Sequence, residues 1–384
     1  MFSSRLEWGH EANSLAQLLE RKRAAGEPLL DLTESNPTAA GFDYPEREIV
    51  ASLADPRSLR YEPNPAGLLA ARDAVAEYYR GRVNPQRLLL TASTSEAYAL
   101  VFKLLADPGD DVLVPRPSYP LFEFLASLES VRVKQYALVY HGRWEIDLDA
   151  LASAITERTR AIVLVNPNNP TGSFLKIDEL QRLIALCKEH QLALVSDEVF
   201  GDYALREASD VVRSLIDVDE VLTFVFSGLS KVVGLPQLKL GWIAAGGPPE
   251  LRLEALRRME LIADTYLSVA TPVQWALPIL LSSRRFLQEQ IRARTRRNLE
   301  FLREQIGPSS SWRVLDVEGG WYAIVQAPRI RSEEEWALLL LREDGVLVQP
   351  GFFFDMESEA FLVVSLLTRP DTFSEGIRRI LARA

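Results

Sequence analysis

The chain contains 384 residues, enough to bury a large core and more than most single domains contain. Its 43 basic and 53 acidic residues give a net charge of −10, which disfavours an extended surface for nucleic acid or for an anionic membrane. The longest apolar runs are far shorter than the roughly 20 residues of a membrane span, and the start has no apolar run typical of a signal peptide. The single cysteine, Cys187, cannot form an intrachain disulfide, so we expect a cytoplasmic protein.

Predicted strands and helices alternate through the middle of the chain. Residues 14–25 form an amphipathic pattern typical of a helix, and a short strand then leads into a polar turn at residues 35–37. From residue 88 to residue 245, short apolar runs alternate with helical stretches. The predicted strands of this region are LLLT (88–91), DVLVP (111–115), VRVKQYALV (131–139), AIVLV (161–165), LALVSD (192–197), VLTFVF (221–226) and LGWIAA (240–245). The alternation predicts an α/β fold whose mostly parallel sheet is flanked by helices on both faces.

The C-terminal part of the chain mixes strand and helix patterns. The strand patterns WRVLDVE, WYAIVQ, VLVQP and FLVVSLL are interspersed with the helical patterns EEEWALLLLRED and DTFSEGIRRILAR. This mixture is typical of a smaller α+β domain, which we expect the N-terminal residues to complete. We therefore predict a large domain of residues 46–284 and a small domain of residues 1–45 and 285–384.

An arginine-rich helix is predicted beyond Pro272. Its apolar face should contain Phe286, Ile291 and Leu299, with the arginines on the opposite side. Such a charged face is usually exposed to solvent, and we interpret the arginines in that way rather than as a binding patch.

Several common types of catalytic site have no signal in this sequence. His10, His141 and His190 are not spaced with cysteines or carboxylates as metal ligands, and no G-x-S-x-G pattern is present. The glycine-rich patterns of nicotinamide and nucleoside triphosphate sites are also missing. We therefore expect a bound organic cofactor to supply the chemistry, and no metal.

Lys231 follows a run of β-branched and aromatic residues, VLTFVF, that is typical of a buried strand. A second apolar strand begins at Leu240, so Lys231 is predicted in a short turn between two buried segments. Burial lowers the pKa of an amine and favours its reaction with a carbonyl carbon. The alternative is a lysine at the sheet edge whose aliphatic stem is covered while its amine reaches water.

Three small hydroxyl residues follow the first strand of the predicted sheet. Ser93, Thr94 and Ser95 open a helix, where free backbone N–H groups and hydroxyls suit a phosphate. The alternative is an ordinary N-terminal cap. Ligands of open parallel sheets bind beyond the carboxyl ends of the strands, so the residues that follow the other strands bear on the choice.

The residues that follow the other strands form, with the three hydroxyl residues, a set that could bind one ligand. Tyr119 stands in a proline-bracketed turn where its ring could stack on a planar ligand, and Asn169 presents an amide in the turn NPNNPTG. Asp197 ends a buried strand, where a carboxylate needs a cationic partner such as a protonated pyridine nitrogen. Lys231 offers an amine, and Lys239 adds a second positive charge. Phosphate donors, a stacking ring, a carboxylate and a Schiff-base lysine are what pyridoxal phosphate requires.

The set T-x-S-T-S-E-A, PRPSYP, NPNNPTG, SDEVF and GLSK-x7-KLGW resembles the class I/II aminotransferases, which are fold-type-I pyridoxal-phosphate enzymes. The resemblance extends from the NPT turn near Asn36 to PGFFFD near Pro350. It implies a large cofactor-binding domain with a mostly parallel sheet and a smaller α+β domain. It also implies transfer of the amino group of an L-amino acid to a 2-oxo acid through an internal aldimine and pyridoxamine phosphate.

The resemblance implies a role for each site residue. Lys231 forms the internal aldimine and moves a proton between substrate Cα and cofactor C4′, and Asp197 keeps the pyridine nitrogen protonated. Asn169 binds the ring oxygen and helps to orient the substrate carboxylate, and Tyr119 stacks on the ring. The implied phosphate ligands are Ser93, Thr94, Ser95, Lys239 and either Ser230 or Ser227.

Two further residues are assigned by the same resemblance. Asn36 is implied as a substrate-binding residue. Tyr61 matches a tyrosine that family members donate to the phosphate across a dimer interface, which implies a homodimer with shared active sites.

Some positions depart from the family pattern. Phe200 stands where a tyrosine usually bonds the cofactor ring oxygen, and the loss of this donor predicts a higher aldimine pKa than in tyrosine-bearing relatives. We expect Tyr203 to be an exposed loop residue rather than a substitute. Lys239 replaces a commoner arginine and lacks its bidentate fork. Gly228 replaces a commoner serine, which removes one phosphate contact.

The larger departure concerns the substrate carboxylate. Family members usually bind it with an arginine in an R-x-S pattern, but Val363 stands at that position in FLVVSLLTRP. Arg369 is predicted to bind the carboxylate instead. The alternative is an ordinary surface arginine before Pro370.

The residues leave the outcome of the reaction open. Transamination is the expected activity, and a β-lyase, a decarboxylase or an amino-acid oxidase on the same fold is the alternative, because fold and cofactor do not fix the reaction. A regulator that only binds the cofactor is a third possibility, although no helix-turn-helix pattern precedes the catalytic region.

Overall fold

The computed structural model describes residues 2–6, 8, 13–267, 269–307, 310–358 and 360–383, so His10 lies outside it. The strands are β1 (Leu30–Asp31), β2 (Leu88–Thr91), β3 (Asp111–Arg116), β4 (Arg132–Tyr140), β5 (Trp144–Ile146), β6 (Thr159–Val165), β7 (Ala193–Asp197), β8 (Thr223–Gly228), β9 (Gly241–Gly246), β10 (Arg313–Val314), β11 (Tyr322–Gln326), β12 (Val346–Leu347), β13 (Gln349–Pro350) and β14 (Phe361–Ser365). The helices are α1 (Ser14–Ala24), α2 (Glu46–Leu53), α3 (Leu69–Tyr78), α4 (Thr94–Leu105), α5 (Phe122–Leu128), α6 (Leu148–Ala154), α7 (Ile177–His190), α8 (Leu229–Val232), α9 (Pro249–Tyr266), α10 (Thr271–Gln305), α11 (Glu333–Asp344) and α12 (Pro370–Leu381). Among the described residues, no helix is both long and apolar enough to cross a membrane.

The largest sheet has eight strands in the order β2-β9-β8-β7-β6-β3-β4-β5. Strands β4, β3, β6, β7 and β8 pair in parallel, whereas β9 runs antiparallel between β2 and β8, and β5 pairs antiparallel with β4. The predicted mostly parallel sheet is confirmed. All six residues of β8 and all five of β7 are buried, as expected for central strands covered on both faces.

Helices cover both faces of this sheet, and alternate side chains of one strand enter different clusters. Val225 packs in the cluster that includes residues of α3, α7 and the first half of α10. Its neighbours Phe224 and Phe226 pack on the opposite face with residues of α4 and α9. This period of two is the geometry of a strand between two helical layers.

A second, four-stranded antiparallel sheet follows the order β10-β11-β14-β13. Its buried cluster includes Leu15 and Leu32 from the N-terminal segment, together with residues of α11 and α12. The N-terminal segment therefore packs with the C-terminal part of the chain, as expected. Helix α10 runs without a break through position 284, so the predicted domain boundary there stays a prediction.

The arginine-rich helix α10 corrects one interpretation from the sequence. Ile291 and Leu299 are buried as expected, but Phe286 is 51% exposed. Arg292 donates from Nε and Nη2 to the carbonyl of Asp202, at 3.0 and 2.8 Å, so this arginine is not part of a solvated face. Arg294 likewise donates to the carbonyls of two irregular segments, at Ala40 and Leu367. Carbonyls outside regular strands need such donors, and a charge pattern alone does not reveal them.

Candidate active site

Lys231 lies in α8, a single helical turn that begins directly after β8 ends at Gly228. The turn expected from the sequence is therefore helical. Burial lowers the pKa of the Lys231 amine to about 8, and the nearby charge of Asp197 opposes that shift. The amine nitrogen lies 4.7 Å from the ring centroid of Trp321 and 5.4 Å from that of Phe200. A substantial fraction of this amine is therefore neutral near pH 8, as a nucleophile requires.

The backbone of this turn is fixed by two side chains. The Tyr203 hydroxyl donates to the Lys231 carbonyl at 2.6 Å, and Gln288 Nε2 donates to the Val232 carbonyl at 2.8 Å. Tyr203 is 0% exposed and packs against Trp321 with ring centroids 5.0 Å apart. The expectation of an exposed Tyr203 was therefore wrong, because its ring fills the space beside the Lys231 turn.

Asp197 is the last residue of β7 and is 6% exposed. Burial raises the pKa of its carboxyl to about 6, despite hydrogen bonds from the Val199 N–H and the Tyr98 hydroxyl, each at 3.2 Å. Tyr98 was missed in the sequence. Its available signal is a tyrosine on the apolar face of α4, one turn after the residues that open that helix.

In the turn between β6 and α7, the adjacent residues Asn168 and Asn169 have different hydrogen-bond surroundings. Asn168 holds the turn: its Nδ2 donates to the Pro117 carbonyl at 3.0 Å, and its Oδ1 accepts from Ser118 Oγ at 2.8 Å. Asn169 Oδ1 is buried but has no hydrogen-bond partner among the described residues. Gly172 has φ +70°, and a Cβ there would lie 2.4 Å from the Gly319 carbonyl oxygen, so the glycine is required. The amide of Asn169 is thus left available for a ligand.

The two interpretations of the hydroxyl residues at the start of α4, a phosphate site and an N-terminal cap, are compatible. Ser93 is the N-cap, and its Oγ accepts from the Glu96 N–H at 3.1 Å. Thr94 and Ser95 begin the helix, and neither hydroxyl makes a hydrogen bond within the described part of the chain. The exposed Lys239 lies two residues before Gly241, where a Cβ would lie only 3.2 Å from the Ser93 carbonyl carbon. The start of β9 therefore lies against this helix terminus, two residues after Lys239.

The end of β8 explains one departure from the family pattern. A Cβ on Gly228 would lie 2.9 Å from Gly241 Cα, so the serine that is common at this position has no room here. Ser227 is fully buried, and its Oγ has no partner among the described residues, whereas Ser230 is half-buried.

Aromatic residues form one wall around Lys231 and Asp197. Phe200 is 4% exposed, with its ring centroid 5.2 Å from that of Trp321 and 6.4 Å from that of Tyr322. Burial raises the pKa of Tyr119 to about 12, and the charge of Asp197 and the ring of Tyr322 are near enough to contribute. Trp321 and Tyr322 come from the second sheet region, so both sheets contribute to this wall.

Two residues that were assigned to the substrate lie at the surface. Asn36 is exposed, and its Oδ1 accepts from the Thr38 N–H and hydroxyl at 3.0 and 2.7 Å. Arg369 is exposed and lies against the backbone of Gly41. Val363 is fully buried in an apolar cluster with Trp144 and Ile324. An arginine at position 363 would have to replace that packing.

Tyr61, the residue assigned to the dimer interface, does not lie with the residues around Lys231. Tyr61 is 77% exposed and lines a surface cavity with Leu267 and Val269. The other residues assigned to the cofactor lie at or just beyond the ends of β2, β3, β6, β7 and β8 or, for Lys239, just before β9.

Comparison with known proteins places this geometry in a family. The model described as aminotransferase class I and II matches residues 27–380. The alanine aminotransferase of Mycobacterium tuberculosis H37Rv is 29% identical over 379 residues, which cover 94% of this chain and 86% of the relative. Glutamate-pyruvate aminotransferase AlaA of Escherichia coli K12 is 28% identical over 360 residues, which cover 90% of this chain and 88% of the relative.

Solved structures agree on the fold. An alanine aminotransferase from Pyrococcus furiosus has a TM-score of 0.89 at 24% identity, covering 100% of this chain and 99% of the other. A single mutant of Thermus thermophilus aspartate aminotransferase has a TM-score of 0.85 at 26% identity, covering 100% of both chains. The family match extends over nearly the whole chain, and the fold is a fold-type-I aminotransferase fold. The chain therefore belongs to the class I and II aminotransferase family, and it is an enzyme that transfers amino groups.

Proposed function

We propose that this enzyme uses pyridoxal 5′-phosphate, bound at Lys231, to transfer the amino group of a small L-amino acid to a 2-oxo acid. The observation that carries the proposal is a buried amine of lowered pKa beside a buried carboxyl of raised pKa, at the ends of adjacent elements. The Asp197 carboxyl has hydrogen-bond donors but no ion pair within the described residues, and a protonated pyridine ring supplies the missing cation.

The donor set fits this cofactor. Asn169 Oδ1 and Ser227 Oγ are buried polar atoms with no partner in the described chain, and a ligand at this place would supply one, which supports the proposal. When bound, the cofactor supplies an electron sink for the charge left on the substrate Cα. Lys231 Nζ holds the cofactor aldehyde and, once released, takes and returns the Cα proton.

The remaining residues bind and orient the cofactor. Asp197 keeps a proton on the ring nitrogen, and Tyr98 holds the Asp197 carboxylate by its hydroxyl. Tyr119 covers one face of the ring, and Phe200 provides an apolar contact where a hydroxyl donor is usual. The phosphate is held by the N-terminus of α4 and by the following residues: Ser93, Thr94, Ser95, Ser227, Ser230 and Lys239.

The substrate carboxylate is held without the usual arginine. Asn169 offers an amide, and Asn36 and Arg369 are the further candidates. Arg369→Ala should raise KM for the amino donor if this arginine reaches the substrate, whereas an unchanged KM and kcat would remove it from the site.

A homodimer completes the site in this proposal. Tyr61 is 77% exposed in the single chain, although a tyrosine ring is costly to leave in water. In a dimer it reaches the phosphate of the partner subunit. A cytoplasmic location fits the single buried cysteine, Cys187.

The names of the relatives support alanine and glutamate as amino donors, with pyruvate and 2-oxoglutarate as the matching oxo acids. They do not favour a lyase, decarboxylase or oxidase. The apolar wall of Phe200 and Trp321 is consistent with a small substrate side chain.

The half-reaction tests the proposal. The cofactor-loaded enzyme is mixed with each common amino acid, and its visible absorbance is followed. Alanine or glutamate should remove the visible absorbance band of the cofactor fastest, and pyruvate should restore it. In Lys231→Ala, which retains the other residues, neither change should occur. Release of ammonia or carbon dioxide without an oxo acid would instead identify a lyase or a decarboxylase.

A further inference from the structure

A second concave surface lies outside the Lys231 site. It is a cavity of about 560 Å³ between the C-terminal end of α3, the segments after β7 and the middle of α10. Its lining contains five arginines, Arg80, Arg82, Arg213, Arg284 and Arg292. Such a concentration of positive charge is unusual in a chain whose net charge is −10.

The carboxyl groups of the cavity balance these arginines only in part, although Arg284 and Arg292 favour the charged form of Asp202 and Arg82 favours that of Glu198. The two that line it, Glu198 and Asp202, already accept hydrogen bonds from neutral donors: Glu198 from the Leu215 N–H at 2.8 Å, and Asp202 from the Tyr78 hydroxyl at 3.1 Å. Burial raises the pKa of both carboxyls, that of Glu198 to about 7. Glu198 is therefore only partly ionised at neutral pH, so it offers little negative charge.

Three of the five arginines have no carboxylate within 4.0 Å among the described residues: Arg80, Arg284 and Arg292. Arg82 pairs with Asp217 at 2.7 Å, and Arg213 contacts Glu207 at 3.5 Å.

Two of these three arginines, Arg284 and Arg292, are held in place by other contacts. The Arg284 guanidinium lies 5.2 Å from the ring centroid of Tyr78, and its Nη1 donates to the Leu281 carbonyl at 2.6 Å. Arg292 is fixed by two hydrogen bonds to the Asp202 carbonyl. Pre-positioned guanidinium groups at a concave surface suit a phosphate or carboxylate ligand, because each can form charge-assisted hydrogen bonds with little loss of freedom.

We propose that this cavity is a second ligand site, for a small anion that carries phosphate or carboxylate groups. The site is independent of the cofactor proposed at Lys231. It adjoins the Lys231 turn, because Gln288 Nε2 donates both to Asp202 Oδ2 at 2.7 Å and to the Val232 carbonyl at 2.8 Å.

Calorimetric titration of the cofactor-loaded enzyme with inorganic phosphate, and separately with glutarate, tests the proposal. The cofactor phosphate then occupies the N-terminus of α4, and a saturating 2-oxo acid covers the substrate site. At least one of the two anions should bind, and the stronger binder identifies the ligand as a phosphate or a dicarboxylate. Arg284→Gln should weaken that binding at least tenfold.

Arg285→Gln is the matched control, because Arg285 is the exposed neighbour on the same helix; its binding should stay within twofold of wild type. Arg80→Gln removes a charge at an exposed position, so it tests the site without disturbing packing, and it should also weaken binding. If neither anion binds, or if Arg284→Gln and Arg80→Gln bind as well as Arg285→Gln, the proposal is overturned.

Discussion

The Asp197 carboxyl is buried even in the cofactor-free protein. Burial raises the pKa of its carboxyl from 3.8 to about 6, and a shift of about 2 units corresponds to roughly 3 kcal/mol of free energy. The folded carboxyl therefore binds a proton more tightly than the unfolded one. It follows that the stability of the cofactor-free protein falls as the pH rises from about 4 to about 6.

Asp197→Asn should remove the contribution of Asp197 to the pH dependence of stability. The free energy of unfolding of the cofactor-free proteins is measured with urea between pH 4 and pH 7. Wild type should lose roughly 3 kcal/mol relative to the variant across this range. Glu198 and Asp202 titrate in the same direction in both proteins, so the difference isolates Asp197. Parallel curves would show that the carboxyl ionises as readily in the folded chain as in the unfolded one.

Tyr98→Phe should weaken cofactor binding without unfolding the protein. The change removes a buried hydroxyl that donates to Asp197, so the carboxyl pKa should rise above about 6 and its hold on the pyridinium should weaken. A hydrogen bond to a charged group is worth roughly 1.5–3 kcal/mol, which is about ten- to a hundredfold in affinity. The cofactor dissociation constant is measured by equilibrium dialysis as a function of pH.

Tyr136→Phe is the control for that experiment, because this second buried tyrosine donates to the Val163 carbonyl rather than to Asp197. It should leave the affinity and its pH profile unchanged. Equal effects of both variants would reduce Tyr98 to a packing residue.

At the residue scale, the sequence identified the residues that end strands or open helices. Asp197, Asn169 and Lys231 were proposed as site residues because a polar residue after a buried run has few structural explanations. Tyr98 was not assigned a role, because an aromatic residue inside a helix looks like a core residue. Its position becomes clear only when α4 is packed against Asp197.

At the element scale, a buried ion pair joins the start of α7 to the segment before β11. Lys176 Nζ lies 2.6 Å from Glu318 Oε2, and the two side chains are 2% and 6% exposed. Glu318 also accepts from the Phe174 N–H at 2.8 Å, beside the turn that carries Asn169. The pair therefore connects the large sheet to the region that supplies Trp321 and Tyr322.

Glu318→Gln should destabilise the protein by roughly 3–5 kcal/mol, because it leaves the ammonium of Lys176 buried without its ion-pair partner and also breaks the pair of Glu318 with Arg206. The free energy of unfolding at pH 7 is measured by chemical denaturation. Glu254→Gln breaks an exposed pair with Arg258 on α9 and should cost less than about 1 kcal/mol. Similar costs for the two variants would contradict the role given to the buried pair.

The elements were predictable where their apolar pattern is clear. The central strands of the large sheet follow from continuous apolar runs, and α10 follows from an amphipathic pattern. Strand β5 has only three residues, too few for either pattern to register. Helix α9 has buried residues at Ala255, Met259 and Ala263, yet Leu253 and Leu261 are 51% and 71% exposed. Leucines on two faces obscure the helical period.

At the scale of the whole molecule, the exposed apolar residues support the proposed homodimer. Leu59 and Tyr61 are 90% and 77% exposed, and Leu267, in the same cavity wall as Tyr61, is 61% exposed. Large apolar side chains grouped in this way are typical of interfaces between subunits. No single-chain pattern reveals such an interface, because a surface leucine alone needs no explanation.

Leu59→Glu should convert the proposed dimer to a monomer and weaken cofactor binding, because Tyr61 would no longer reach the partner subunit. Sedimentation velocity measures the mass, and dialysis measures the affinity. Ile330→Glu places the same charge at another exposed apolar position, 71% exposed, and should leave the dimer intact. A monomeric wild type, or a dimer that tolerates Leu59→Glu, would exclude this surface as the interface.

The measurement that bears most directly on the whole account is the position of the covalent bond to the cofactor. The purified enzyme is loaded with pyridoxal 5′-phosphate, reduced with borohydride, digested and mapped by mass spectrometry. The reduced cofactor should be attached to Lys231, with no adduct in Lys231→Ala. An adduct at a different lysine, or a protein that takes up no cofactor, would contradict the account.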